Sequence, residues 1–88
     1  MDAIAGKDYD SFESLEEMIE SIDIGLDLEF YLYGVRYNIS TDGIPYICIC
    51  PDGDAVYYKD GTELMDHHKI NNRKMKDIWR DVQIIFMG

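Results

Sequence analysis

The chain lacks most of the features that mark common functional classes. No stretch of its 88 residues approaches the ~20 apolar residues of a membrane span. Met1 to Gly6 has neither a basic start nor an apolar run, so no secretory leader is expected. Basic residues are scarce: eight Lys and Arg stand against eighteen Asp and Glu, for a net charge of −10. That balance argues against direct binding of nucleic acid or of an anionic membrane surface. Cysteine is limited to Cys48 and Cys50, which alternate along one expected strand. Their Cα atoms would lie roughly 7 Å apart with parallel side chains, a poor geometry for a disulfide. They are therefore expected to be reduced, buried packing residues of a cytoplasmic protein. There are no internal repeats and no low-complexity segments, and no complete catalytic motif is present.

What is present is an uneven charge on a folded composition. Residues 1–34 carry ten carboxylates against Lys7 alone, a net of −9; residues 35–66 have a net of −4, and residues 67–88 a net of +3. The apolar fraction of 47% and aromatic fraction of 12% belong to a globular domain rather than a disordered acidic tail. Seven tyrosines are many for this length. Their rings suit both half-buried sheet faces and binding surfaces.

Residues 1–10 read as a polar lead-in, and 11–88 as a single α+β domain. A first helix is expected from Asp10 or Ser11, with Asp10 and Glu13 at capping-box spacing. Phe12, Leu15, Met18, Ile19 and Ile22 form its apolar stripe, and Gly25 its stop. From Leu26 the period becomes two. Leu28, Phe30 and Leu32 alternate with Glu29, Tyr31 and Tyr33, and Gly34-Val35 fits a type II′ turn. Val35, Tyr37 and Ile39 follow, then the hairpin signal Asp42-Gly43. Ile44 to Cys50 is apolar on both faces and is expected to be central. A turn at Pro51 to Asp54 leads to a short fourth strand, Ala55 to Lys59. These segments make an antiparallel meander of three or four strands. Thr62 is expected to cap a helix to about Lys69. Asn71 or Asn72 caps another, with Met75, Ile78, Trp79 and Val82 at helical spacing. Gln83 to Met87 closes the chain as a strand that adds to the sheet edge or seals the core. The architecture expected is α+β: an N-terminal helix, the meander, one or two short C-terminal helices and a terminal strand, with helices on one sheet face.

Several residue groups invite chemistry. Asp52, Asp54, Asp60 and Glu63 fall on positions 1, 3, 9 and 12 of a calcium loop. Tyr57, however, occupies the place of its required glycine, and two turns flanking a strand explain the acids more simply. His67-His68 with Cys48 and Cys50 fit no usual zinc spacing, since adjacent helical residues point about 100° apart. Asp66 beside His67 has no nucleophile near it in sequence. No enzyme, metal or cofactor is therefore expected. The basic segment Arg73 to Arg80 lacks interleaved aromatics, and neutralising the acidic helix, within the fold or in a dimer, accounts for it without further assumptions. The acids themselves remain. Glu13, Glu16, Glu17, Glu20, Asp23, Asp27 and Glu29 are the candidate partner-binding residues. They either solubilise the domain or act as a decoy for an Arg/Lys groove built for phosphates.

Two stretches resemble known sequences. Leu28-Glu29-Phe30-Tyr31-Leu32-Tyr33-Gly34-Val35-Arg36-Tyr37-Asn38-Ile39 is similar to an "I-E-F-x-Y-x-G-x-x-Y-x-I" hairpin. Lys76-Asp77-Ile78-Trp79-Arg80-Asp81-Val82-Gln83-Ile84 is similar to a "K-x-I-W-x-x-V-x-I" ending. Both resemble small acidic proteins of Gram-positive bacteria and their prophages. The resemblance implies a mobile-element context, in which small acidic domains inhibit host defence nucleases, as anti-CRISPR proteins do. It transfers no catalytic residues. The expectation is a non-catalytic inhibitor that holds a basic protein surface such as that of a CRISPR nuclease. The alternative is a structural or regulatory interaction module, such as a homodimer.

Overall fold

The computed structural model describes residues 9–88. The chain runs as helix α1 (Leu15–Asp23), strands β1 (Leu28–Leu32), β2 (Val35–Asp42), β3 (Ile44–Ile49) and β4 (Val56–Tyr57), helix α2 (Gly61–His67), strands β5 (Lys69–Ile70) and β6 (Arg73–Lys74), helix α3 (Met75–Ile78), a 3₁₀ turn (Trp79–Asp81) and strand β7 (Gln83–Met87). It is an α+β domain in which β4-β3-β2-β1-β7 form one antiparallel sheet and β5-β6 a separate two-stranded ribbon.

Period-two patterning decides which sheet face is covered. Leu28, Phe30 and Leu32 of β1, Tyr37 and Ile39 of β2, and Ile47 of β3 are buried beneath the helices. Met18 and Ile22 of α1, Leu64 and Met65 of α2, and Met75 and Ile78 of α3 pack onto them, together with Phe12, Ile70, Val82 and Ile84. Each fully buried side chain of this kind contributes roughly 1.5–3 kcal/mol. Intervening strand residues face the other way. Glu29, Asn38 and Cys48 make one row across that outer face, and Ser40, Tyr46 and Tyr57 the next. Cys48 and Cys50 are unbridged and half-buried there, rather than buried in the core.

Several boundaries depart from the sequence expectation for identifiable reasons. The first helix starts at Leu15, not near Asp10, because the Ser14 side chain accepts from the Glu17 N–H. Asp10 is instead drawn to the sheet, where its carbonyl accepts from Ile84 N–H at 2.7 Å. The remainder of the 1–10 lead-in, residues 1–8, lies outside the described residues. Tyr33 and Gly34 both have positive φ, 52° and 77°, so the β1–β2 hairpin turns one residue earlier than expected, as type I′. The terminal strand pairs with β1, which makes β2 the middle strand and moves β3 off centre. The fourth strand is confined to Val56–Tyr57. Asp60 caps α2 in place of Thr62: its side chain accepts from Glu63 N–H, and Glu63 accepts from Lys59 N–H.

The largest departure is at Asn71 and Asn72. Both adopt left-handed conformations, φ 54° and 68°, and form the turn of the β5–β6 ribbon instead of capping a helix. The last helix is thereby shortened to Met75–Ile78 and tightens into the 3₁₀ turn.

Gly61 fixes how closely α1 and α2 approach. A Cβ there would lie 2.8 Å from the Ile19 carbonyl oxygen, 2.9 Å from Asp23 Oδ1 and 3.1 Å from Ile22 Cβ. Glycine to alanine inside a helix ordinarily stabilises by about 0.5–1 kcal/mol. Here Gly61→Ala is expected to destabilise by about 2 kcal/mol, because the obstructing carbonyl belongs to a packed helix. Urea unfolding of the two proteins checks the sign.

Candidate functional site: the acidic face of α1

Helix α1 buries Met18, Ser21 and Ile22. Its opposite side carries Glu16, Glu20 and Asp23, three or four residues apart and hence stacked along one exposed line, and Glu13 stands exposed just ahead of the Ser14 cap. A shallow groove of about 620 Å³ runs beside them between α1 and α2, lined by Glu16, Ile19, Glu20, Asp23, Ile24 and Thr62. Ile24 is 67% exposed at its end. The surface therefore combines carboxylates with an apolar strip, which the charge count alone did not reveal. Ile24 follows the helix with the same spacing to Glu20 that Glu20 has to Glu16, so sequence could have placed it there. Thr62 arrives through the α1–α2 packing and had no sequence signal.

The seven candidate acids do not form one surface. Glu16 and Glu20 are exposed on α1 and Glu13 just ahead of it, and none has a cationic partner among the described residues. Glu17 is occupied locally, since its Oε1 accepts from Glu13 N–H at 2.7 Å while its own N–H donates to Ser14. Asp23 lies in the groove, and its Oδ1 accepts from Gly61 N–H at 2.7 Å, tying α1 to the start of α2. Asp27 and Glu29 lie on the far side of the sheet. The Asn38 amide donates to Asp27 Oδ1 at 2.7 Å, and Glu29 is paired with Arg36. A partner seated on α1 would not reach them. The candidate site thus contracts to Glu13, Glu16, Glu20 and the edge of Asp23.

The basic residues are equally divided. Lys76 pairs with Asp66 at 3.8 Å. The Arg80 guanidinium lies 5.2 Å from the Trp79 ring centroid. Lys69, Arg73 and Lys74 cluster on the β5–β6 ribbon, exposed. Asp81 accepts a hydrogen bond from the Tyr33 hydroxyl at 2.6 Å, which raises that phenol above its usual range.

Among the other groups singled out by sequence, Asp60 and Glu63 serve the α2 cap described above. No three His, Cys, Asp or Glu side chains converge as a metal site among the described residues. His67 is exposed, whereas the His68 Nδ1 lies 2.9 Å from the Tyr58 hydroxyl. Burial holds the His68 imidazole below its ordinary pKa of 6.5. The unfolded chain therefore takes up this proton first as pH falls, and the folded state loses stability below about pH 6.5. Above that pH the contribution is fully present. Thermal unfolding across pH 5 to 8 is expected to show an acid-side decline that His68→Gln reduces.

No helix among the described residues is long and apolar enough to cross a membrane. No family model, curated protein or solved structure matches this chain.

Proposed function

We propose that this protein is a non-catalytic binder that lays the α1 carboxylates against a basic, nucleic-acid-holding surface of a partner protein and thereby blocks it. In biological terms this is a phage- or prophage-type inhibitor of a defence nuclease, such as a CRISPR effector. One observation carries the reading. Glu16 and Glu20 line one exposed side of α1 beside the exposed Ile24, Glu13 is exposed just ahead of the Ser14 cap, and none of the three has a cationic partner among the described residues. Like charges at these spacings each destabilise a helix by about 0.2–0.5 kcal/mol. Solubility alone does not require them to be stacked. Steps of three and four residues rise about 4.5–6 Å along the axis, a ladder that side chains of an Arg/Lys groove can match. Ile24 supplies an apolar anchor of the sort that fixes an otherwise electrostatic contact.

The test is capture from the lysate of the native host, using the wild-type protein and the Glu13→Lys, Glu16→Lys, Glu20→Lys variant. A nucleic-acid-binding protein is expected on the wild type at about 0.1 M salt, released near 1 M, and absent from the variant. Retention by the variant, or indifference to salt, would refute the reading.

A second reading is favoured by a different face. The outer sheet surface carries the Tyr46–Tyr57 pair, with centroids 5.3 Å apart, and the mutually compensated Glu29–Arg36 pair. This is a surface on which two copies of a −10 chain can meet without strong repulsion. A dimer by light scattering that Tyr46→Glu dissociates would establish it; a monomer at all concentrations would remove it.

A further inference from the structure

The β5–β6 ribbon stands off the end of the sheet and leaves a second groove, of about 350 Å³, between itself and β3–β4. Its walls combine apolar side chains with Asp54, His68, Lys69 and Asn71. Ile47 and Ile70 form the buried part, while Ile49 and Val56 stand exposed at the opening. A space of this size with a few polar groups falls in the range of small-molecule sites.

Tyr37 makes this groove more than a surface irregularity. It lines the cavity, is only 6% exposed, and its ring stacks on Phe30 with centroids 5.6 Å apart. Its hydroxyl has no hydrogen-bond partner among the described residues, whereas the Tyr58 and Tyr33 hydroxyls are both bonded. Buried hydroxyls are nearly always satisfied, so an unmatched donor in a cavity wall calls for an acceptor there.

Charge narrows the acceptor. Lys69 lines the groove, and its ribbon partners are Lys74 and, one position on, Arg73 beside Ile70. Lys69 and one carboxylate, Asp54, line the groove, and Lys74 and Arg73 stand on the adjoining ribbon strand. On an otherwise acidic protein this is a local positive field. His68, whose protonation burial disfavours, also lines the groove.

We propose that this groove binds a small carboxylic acid with an aromatic or branched aliphatic body, whose oxygen accepts from Tyr37 and whose charge is balanced by Lys69. The apolar body fills the space between Ile47, Ile49, Val56 and Ile70. The site is separate from the α1 surface, so it stands whether or not the acidic helix binds a partner.

Heteronuclear NMR titration tests it, with phenylacetate as the probe and phenethylamine as its cationic counterpart. Phenylacetate is expected to shift the amides of Tyr37, Ile47, Val56 and Ile70 together, and phenethylamine to leave them unmoved. Tyr37→Phe and Lys69→Ala are each expected to weaken phenylacetate about tenfold while the remaining amide spectrum stays native. Lys69 is exposed, so its variant keeps the test valid should Tyr37→Phe disturb the core. The proposal is overturned if phenylacetate causes no shifts up to about 10 mM, which excludes even very weak binding. Equal response to the amine, or unchanged affinity in Tyr37→Phe, would overturn it as well; in the latter case the hydroxyl is met by water alone.

Discussion

Phe30→Ala is expected to leave much of this protein unfolded at 37 °C, lowering its stability by about 3–5 kcal/mol. Phe30 is 1% exposed on the inner face of β1, opposite Tyr37 on β2 and Ile84 on β7. It therefore joins three strands to the helical layer, and neighbouring backbone hydrogen bonds keep the site from collapsing around the void. The total against which this loss is set is small: an 88-residue domain has roughly 4–13 kcal/mol of stability. A fall in the urea midpoint of about 2 M is the expected readout. Tyr57→Ala, on the outer face and half exposed, is the control, with an expected cost of about 1 kcal/mol or less. Equal losses for the two variants would mean that the assignment of inner and outer faces is wrong.

Reversing Glu13, Glu16 and Glu20 to lysine is expected to leave folding nearly unchanged and to abolish binding. In the wild type Glu16 and Glu20 stack on α1 with Glu17 and Asp23 nearby, and Glu13 precedes the Ser14 cap. The reversal turns the Glu17–Glu20 and Glu20–Asp23 repulsions into attractions, but keeps positions 16 and 20 alike in charge and puts a lysine in the acid-favouring first turn, so the net change is expected to be within about 1 kcal/mol. Against a basic surface the same changes bring like charges together, which costs several kcal/mol and at least a hundredfold in affinity. A variant that unfolds at the wild-type temperature and yet fails to bind cannot owe its defect to misfolding. Should the variant be less stable than wild type by more than about 2 kcal/mol, these carboxylates would instead be holding the fold together.

Much of the fold was legible because period and turn chemistry agreed along most of the chain. Leu28 to Ile39 alternates cleanly, Asp42-Gly43 marks a reversal, and Gln83 to Met87 was placed to the residue as the closing strand. The C-terminal helices were less legible because Asn71-Asn72 serves either a helix cap or a left-handed hairpin turn. Pairing of Lys69 with Lys74 and Ile70 with Arg73 decided between them, an interaction that helical spacing does not register. Ser14 outcompeted Asp10 as the helix start for a similar reason, since Asp10 had a sheet partner 74 positions away, Ile84.

The site was legible only in part. The exposed positions of Glu16 and Glu20 follow from helix periodicity, whereas Glu13, expected inside the helix, precedes its Ser14 cap. The division of Asp27 and Glu29 from that line was also implicit, since Leu28 and Phe30 face α1 and their neighbours must face away. The engagement of Asp23 with Gly61, and the unmatched hydroxyl of Tyr37, depend on how distant segments meet. Local patterns carry no trace of either.

The central claim is that the α1 carboxylates hold a basic surface that otherwise holds nucleic acid. It is tested most directly by calorimetric titration of this protein into its purified partner, with and without DNA, at several salt concentrations. The account predicts competition with DNA, affinity that falls steeply between about 0.1 and 1 M salt, and loss of binding in the Glu13, Glu16, Glu20 variant. Simultaneous binding of DNA and this protein, or full affinity in the charge-reversed variant, would contradict it.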